Sequence, residues 1–212
     1  ALDVIHGAGD IDIRAYQGKD IQVKATITSK KYRSMERFKE VFERDMVFDL
    51  DRESEYAVLR GHSKRDVRKN PEIQINFDIQ IPNHLDVDID DGSGSIRVAD
   101  IAGYLSIDDG SGDIHVSHVD NNLDIDDGSG DIHIEQVTGT IEIEDGSGSV
   151  HISDSEGDVD IDDGSGNISL VQVHGEKEID DGSGKIHLAN SSGDVSIDDG
   201  SGDIVLDEVS GS

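Results

Sequence analysis

The chain has 212 residues, of which 48 are acidic and 18 are Lys or Arg, so its formal net charge is −30. This charge excludes a general nucleic-acid-binding protein, because phosphate contacts require clustered basic side chains. Cysteine is absent, which excludes disulfides, thiolate metal sites and cysteine nucleophiles. No apolar run approaches the roughly 20 residues that span a bilayer, so we expect no transmembrane segment.

The charge is distributed unevenly along the chain. Residues 1–84 contain 15 acidic and 15 basic side chains, whereas residues 85–212 contain 33 acidic and only three basic ones. Glycine follows the same division, because 20 of the 24 glycines lie in the second part. The sequence therefore predicts two domains, a mixed one over residues 1–84 and an acidic one over residues 85–212.

The first domain contains patterns of both strands and a helix. Residues 9–28 alternate apolar and polar side chains and break at Gln17-Gly18, which predicts a β-hairpin. Residues 34–46 carry Met and Phe at helical spacing, which predicts one short helix packed through that stripe. A basic loop follows over residues 60–70, and it either faces solvent or contacts an anionic partner. Residues 72–82 alternate again and predict a strand.

The second domain repeats every 18 residues. The motif Asp-Gly-Ser-Gly begins at Asp91 and recurs at that interval as far as Asp199. Such a period is the signature of a solenoid, in which each repeat packs on the next. Apolar residues alternate twice within each repeat, so each coil has two short strands. We therefore predict an all-β protein, a parallel β-solenoid of about seven 18-residue coils, right-handed by the usual rule, with an N-terminal β-rich cap containing the helix.

Two glycine columns and one lysine interrupt the strands. One position in each half-coil is glycine in every repeat except at Asn121, so we predict left-handed corners there, because Asn also tolerates positive φ. Lys177 stands where other coils have Leu, Ile or Val, and it indicates a local bulge, a snorkelling side chain or a functional buried lysine. The two columns are Gly94, Gly112, Gly130, Gly148, Gly166, Gly184, Gly202 and Gly103, Asn121, Gly139, Gly157, Gly175, Gly193, Gly211.

Stacking converts each repeated position into a column, and two neighbouring columns are acidic. Carboxylates in a row are candidate ligands for a hard cation, so the first column is a candidate calcium ladder. It consists of Asp90, Asp108, Asp126, Glu144, Asp162, Asp180 and Asp198. The second column consists of Asp91, Asp109, Asp127, Asp145, Asp163, Asp181 and Asp199.

Three explanations of this acidity remain open. Each Asp before Gly-Ser-Gly can accept a hydrogen bond from the amide two residues later, which forms an Asx-turn. The outer carboxylates can bind calcium between coils, or they can keep the rod soluble and single. The repeat matches neither the EF-hand loop nor the calcium-binding nonapeptide, so a calcium site here would use another arrangement.

A histidine column is the second candidate metal site. Adjacent coils bring imidazoles within reach of a shared transition-metal ion, and the alternative is a polar stacked face without metal. The column consists of His115, His133, His151 and His187, with Ser169 between the last two. Ser, His and Asp recur as rows without converging on one point, so we predict no catalytic residues. The carboxylate pairs also lack an aromatic platform that would hold a sugar.

Several segments together resemble a known family. The opening "GDIDI", the strand "INFDIQIP" and the repeated "DGSGDI" are similar to the bacterial putative-adhesin family of repeated β-strand domains. The resemblance covers most of the chain, and only the helix around residues 34–46 departs from the strand pattern. It implies a β-solenoid of the cell envelope, export and surface adhesion, and it supplies neither catalytic residues nor a ligand.

We therefore expect a non-enzymatic adhesin-like or scaffold protein, exported to the bacterial periplasm or cell surface. Its opening residues are not a signal peptide, so an exported form would have lost its signal. Its acidic face would bind calcium or a basic partner. The last coil ends without an obvious cap, which predicts self-association through that edge. Two alternatives stay open: a cation-dependent carbohydrate-active enzyme and an envelope regulatory subunit.

Overall fold

The computed structural model describes residues 1–53, 55–64 and 72–211, so most of the predicted basic loop lies outside the described residues. Within them, strands form two ten-stranded sheets, here called sheet A and sheet B. The elements up to residue 82 are β1 (Leu2–His6), β2 (Ile11–Tyr16), β3 (Gln22–Ser29), α1 (Met35–Asp45), β4 (Met46–Glu53), β5 (Tyr56–Ser63) and β6 (Ile73–Pro82).

The repeats form seven coils, each with one strand in each sheet, which confirms the predicted parallel β-solenoid. The sheet A strands of these coils are β7 (Val87–Asp91), β9 (Leu105–Asp109), β11 (Leu123–Asp127), β13 (Ile141–Asp145), β15 (Val159–Asp163), β17 (Lys177–Asp181) and β19 (Val195–Asp199). The sheet B strands are β8 (Ile96–Ile101), β10 (Ile114–Val119), β12 (Ile132–Val137), β14 (Val150–Ser155), β16 (Gly166–Val173), β18 (Gly184–Ala189) and β20 (Gly202–Asp207).

Successive coils stack in register with an offset of one repeat. Ile125 pairs with Ile107 on one side and with Ile143 on the other, all in parallel strands of sheet A. The inward side chains are mainly Ile, Val and Leu, and the buried ones form one continuous core cluster. β-Branched residues suit this stacked interior, since their side chains pack well on a pleated surface. The right-handed winding stays a prediction.

The first 84 residues extend both sheets. β1 and β2 form a coil that stacks on β7 and β8, and β5 and β6 form another coil on its outer side. β4 and β3 pair antiparallel with β5 and β6 and so end the two sheets. The predicted helix is confirmed as α1, which buries Val41 and stacks Phe38 on Phe42 with ring centroids 6.2 Å apart. Its predicted stripe packs only in part, because Met35 is exposed and Met46 already belongs to β4. The division into two domains at residue 84 stays a prediction.

The predicted hairpin over residues 9–28 is wrong. β2 and β3 do not pair, because β6 lies between them, parallel to β2 and antiparallel to β3. β6 places a buried residue at every second position from Ile73 to Ile81, as a strand inside sheet B requires. After Gln17-Gly18 the chain therefore passes the position that β6 occupies, and β3 pairs with the other edge of β6.

The glycine corners are only partly left-handed. φ is between +138° and +153° in the first column from Gly94 to Gly148, but of the second column only Gly175 and Gly193 have a positive φ. The prediction is wrong for the other members of the second column and for Gly166, Gly184 and Gly202 of the first, none of which has a left-handed φ. Glycine is needed at Gly157 because a Cβ there would collide with the backbone of the preceding coil.

A third column has the left-handed conformation without glycine. Each member lies near the end of a sheet B strand, with φ between 52° and 66°. This conformation shifts the alternation of inward and outward side chains by one position. Val98 and Ile101 therefore both face the core although they are three residues apart. The column is Asp100, His118, Gln136, Asp154, Gln172, Asn190 and Glu208.

We expect Gln136→Gly to raise the free energy of unfolding by about 0.5–1 kcal/mol. The left-handed conformation costs an L-residue roughly 1–2 kcal/mol, and the greater flexibility of unfolded glycine offsets part of the gain. Urea unfolding measures the difference. Glu135→Gly, at the preceding extended position, should instead destabilise, and equal destabilisation by both variants would contradict this account.

Lys177 is a buried member of an apolar column. It pairs in register with Val159 and Val195, so the predicted bulge is wrong. The residue is 2% exposed, and its Nζ donates to the carbonyl oxygens of Gly175 at 2.7 Å and Ser192 at 2.8 Å. The amino group therefore stays inside the coil corner and does not reach solvent. Burial lowers the pKa of Lys177, against a smaller opposite effect of Asp158.

We expect Lys177→Leu to raise the free energy of unfolding at pH 7 by about 1–2 kcal/mol, because a buried charge is replaced by an apolar side chain of similar size. The wild-type penalty is complete below the lowered pKa and disappears as the pH rises through the unfolded value of 10.5. The advantage of Leu should therefore shrink in alkaline solution. Lys185→Leu, at an exposed position, serves as the control and should change stability little at either pH.

Candidate functional site

Sheet A presents a surface that is almost entirely acidic. In each strand from β7 to β19 of this sheet, the second and fourth residues point outward. Of these 14 positions, 12 are Asp or Glu, and the others are Ser106 and Ser196. We call these side chains the acidic face: Asp88, Asp90, Asp108, Asp124, Asp126, Glu142, Glu144, Asp160, Asp162, Glu178, Asp180 and Asp198.

The predicted calcium column lies on the acidic face, and all its members are exposed. Asp126 pairs in register with Asp108 and Glu144, so adjacent carboxylates are one strand spacing apart, about 4.8 Å. The pKa of Asp108 is raised, first by partial desolvation and then by Asp126 and Asp90. Among the described residues, no three His, Asp or Glu side chains are arranged to hold one metal ion. Calcium binding by this column stays a prediction.

Tyr104 is an aromatic residue at the edge of the acidic face that the sequence reasoning did not single out. Its hydroxyl donates to the carboxylate of Asp124, and its backbone amide donates to Asp86 Oδ1 at 2.9 Å. The hydrogen bond to Asp124 is the main cause that raises the pKa of Tyr104 to about 12. The sequence signal was available, because Tyr104 is the one aromatic residue after position 84.

The second acidic column lies inside the solenoid, a burial that the sequence analysis did not predict. Its members from Asp91 to Asp181 are at most 4% exposed. Alternation gives the signal, since Val87, Ile89 and Asp91 occupy successive inward positions of β7. We call this set the buried carboxylate row: Asp91, Asp109, Asp127, Asp145, Asp163 and Asp181.

The two oxygens of each buried carboxylate have different surroundings. One oxygen accepts a hydrogen bond from the Ser amide two residues later, as in Asp127 to Ser129 at 3.0 Å, which confirms the predicted Asx-turn. The other oxygen is buried and has no hydrogen-bond partner among the described residues. Burial raises the pKa of Asp109 and Asp145 to about 7 and that of Asp163 to about 6, while the Ser amide acts in the opposite direction.

His6 ends the buried carboxylate row at the coil formed by β1. Its Nε2 is 2.7 Å from the carbonyl oxygen of Ile75, which can only accept, so Nε2 carries a proton. Its Nδ1 is 2.8 Å from Asp91 Oδ1, which also accepts from the Ser93 amide. The sequence reasoning missed this pair, because His6 lies 85 residues from its partner.

The predicted histidine column lies on the outer surface of sheet B, away from the acidic face. His115, His133 and His151 occupy adjacent strands in register. His187 is separated from them by Ser169, which pairs with both His151 and His187. The structure therefore brings three of the four predicted histidines together and leaves the fourth apart.

Comparisons with known proteins assign the chain to a family. A family model described as Toastrack DUF4097 matches residues 1–211. Among solved structures, the chain resembles a putative cell adhesion protein from Clostridium sporogenes with 12% identity and a TM-score of 0.35, over 100% of this chain and 92% of the other. No curated protein matches the sequence. Within the described residues, no helix is long and apolar enough to cross a membrane.

We expect the protein to become more stable as the pH falls from 8 to 5. Unfolded Asp has a pKa of 3.8, whereas the folded pKa of Asp109 and Asp145 is about 7, so the folded state binds more protons across this window. The stabilisation is complete below the unfolded pKa and is lost as the pH rises through the folded pKa. Thermal midpoints at several pH values measure it.

Two neighbouring substitutions separate the buried row from the surface charge. Asp145→Asn removes one buried titrating group and should reduce the change in midpoint between pH 5.5 and 8 by about a third, because three groups have a folded pKa in or near that window. Glu144→Gln removes the adjacent exposed charge and should leave the slope in that window unchanged. An equal effect of both variants would assign the pH dependence to general repulsion.

Proposed function

The chain belongs to the Toastrack DUF4097 family, and from that premise we propose that it is a non-enzymatic scaffold or adhesin-like protein of the bacterial cell envelope. Its acidic face would bind a basic partner surface, with calcium as a further ligand. The observation that carries this proposal is the acidic face itself, where 12 of 14 outward positions are carboxylates and none is basic.

The acidic face has the form that a basic surface requires. Its carboxylates lie in two columns on a stacked sheet, so their spacing along the solenoid is fixed at about 4.8 Å by the backbone. Side chains that are already aligned lose less freedom on binding than side chains on a mobile loop. A large field of one sign also accelerates encounter with an oppositely charged partner. These properties support recognition of a basic protein surface.

Calcium would bind between coils. Calcium takes six to eight oxygen ligands, and neighbouring carboxylates such as Asp108 and Asp126 can each supply one or two. Water would complete the shell, since no cluster of three such side chains is arranged around one point in the described residues. Sites of this open kind bind calcium in the range of about 0.1–1 mM, as extracellular modules do.

The enzyme alternative has less support from the residues. Glycoside hydrolysis needs one carboxylate pair in a pocket that holds a sugar, usually against aromatic rings. The carboxylates of the acidic face are repeated evenly, and Tyr104 is the one aromatic residue near them in the solenoid coils. An envelope regulatory subunit would use the same face to bind its partner, so the experiment below applies to that alternative as well.

We expect a basic probe to distinguish the acidic face from general acidity. The probe is an octalysine peptide, measured by calorimetry at low and physiological salt. Asp108→Asn, Asp126→Asn, Asp162→Asn and Asp180→Asn in one variant should lower its affinity about tenfold, because four exposed charge pairs contribute about 0.3–0.5 kcal/mol each. The same variant should lose most of any rise in melting temperature produced by millimolar calcium.

A matched variant controls for net charge. Asp120→Asn, Asp154→Asn, Glu156→Gln and Glu208→Gln remove the same number of charges at exposed positions outside the acidic face. This control should lower the octalysine affinity about twofold or less, through the general field alone. Equal losses in the two variants would reject the acidic face as a binding surface, although the fold assignment would stand.

A further inference from the structure

Three histidines on sheet B form a continuous run that the acidic face does not use. The rings of His115 and His133 stack with centroids 5.0 Å apart and planes 6° apart. The rings of His133 and His151 have centroids 5.9 Å apart, but their planes are tilted by 56°. His133 is therefore the shared member of one stacked pair and one tilted pair.

The run lines a shallow groove that also contains other polar groups. The next outward column beside the imidazoles contributes Ser117, Glu135 and Ser153. Glu135 lies two positions after His133 on β12, so both side chains belong to the same side of the sheet. The small serine side chains on either side of Glu135 leave room for a bound ion with its water. The groove thus combines imidazole nitrogens with one carboxylate.

This set of donors fits a borderline divalent metal ion. Neutral imidazole is the commonest protein ligand for zinc, copper and nickel, with metal to nitrogen distances of about 2.0–2.1 Å. Two imidazoles on neighbouring strands can reach one ion by rotation of their rings. The tilted pair His133 and His151 requires the smaller change, because its ring planes are already inclined to each other.

We propose that His133 and His151 bind a divalent transition-metal ion on sheet B, with water completing the coordination, since the described residues include no third side chain arranged around the same point. His115 lies on the other side of His133 and offers an alternative second nitrogen. Cu²⁺ should bind more tightly than Zn²⁺ at such a site, following the usual order of divalent affinities. The site is distinct from the acidic face, so the test of this proposal is independent of the test of the proposed function.

The surroundings of His115, the alternative ligand, favour its neutral form. Burial, then His133, then Arg97 lower the pKa of His115, which favours the neutral imidazole that a metal requires. Arg97 pairs with His115 at the start of the run, and Glu135 supplies the nearest carboxylate in the groove.

The column contains its own control. Ser169 occupies the same position in the next coil after His151, so Ser is accepted there by the fold. His187 belongs to the column but pairs with Ser169 and Val205, and therefore has no imidazole beside it. His133→Ser removes the shared imidazole and leaves His115 and His151 two strands apart, about 9.6 Å, so that no two histidines of the run remain adjacent. His187→Ser removes an imidazole that has no neighbouring histidine.

The test measures Cu²⁺ and Zn²⁺ binding in the presence of millimolar magnesium, which occupies the exposed carboxylates. Calorimetry should give one site per chain in the wild type, and electron paramagnetic resonance of bound Cu²⁺ should show two coordinating nitrogens. His133→Ser should lower the affinity at least about tenfold and remove one nitrogen from the spectrum, because one ligand of the chelate is lost. His187→Ser should bind as the wild type does.

Two results would overturn the proposal. Wild-type binding by His133→Ser would show that the run is not the site, and equal loss in His187→Ser would indicate unspecific binding to scattered imidazoles. Circular dichroism confirms that each variant is folded. His151→Ser provides a second test that keeps the stacked pair, and it should weaken binding less than His133→Ser does.

Discussion

Backbone hydrogen bonds between successive coils hold every residue of the solenoid in register with the residue 18 positions away. The backbone amide of Gly128 donates to the backbone carbonyl of Asp109 at 2.8 Å, and that of Gly146 donates to the carbonyl of Asp127 at 2.8 Å. The same bond therefore recurs from coil to coil. Because of this constraint, the equivalent residues of successive coils lie side by side in a column. A side chain that packs well is repeated along the core, and a charge is repeated about every 4.8 Å along the surface.

In the interior, the repetition includes a carboxylate in each coil, whose burial is unfavourable. A buried carboxylate is unfavourable when ionised, and six in a row would be worse than six in isolation. The Ser amide two residues later stabilises one oxygen of each group, and His6 pairs with Asp91 at the end of the row. The raised pKa of Asp109 and Asp145 allows protons to neutralise part of the rest near neutral pH.

The period of 18 was sufficient to predict the solenoid, its seven coils and the Asx-turns, because each depends on local pattern repeated in register. The inward direction of Asp91 could also have been predicted from its alternation with Ile89. The position of β6 between β2 and β3 could not be predicted. It depends on which of several similar strands pairs with β2, and β6 is far from β2 in the sequence. Ring tilts such as that of His151 against His133 depend on side-chain packing that no periodicity records.

The two outer surfaces differ in how strictly they follow the repeat, and this difference has a functional consequence. Sheet A varies so little along the repeats that its carboxylates together produce a negative electrostatic potential over the whole face. This potential attracts cations without selecting among them. Sheet B changes from coil to coil, so that Glu135 and the histidine run occur at one place along the rod. A uniform column can provide attraction over its whole length, but discrimination requires a position that differs from its neighbours. Selective binding by this protein should therefore be sought where the repeat is interrupted, and general affinity where it is most regular.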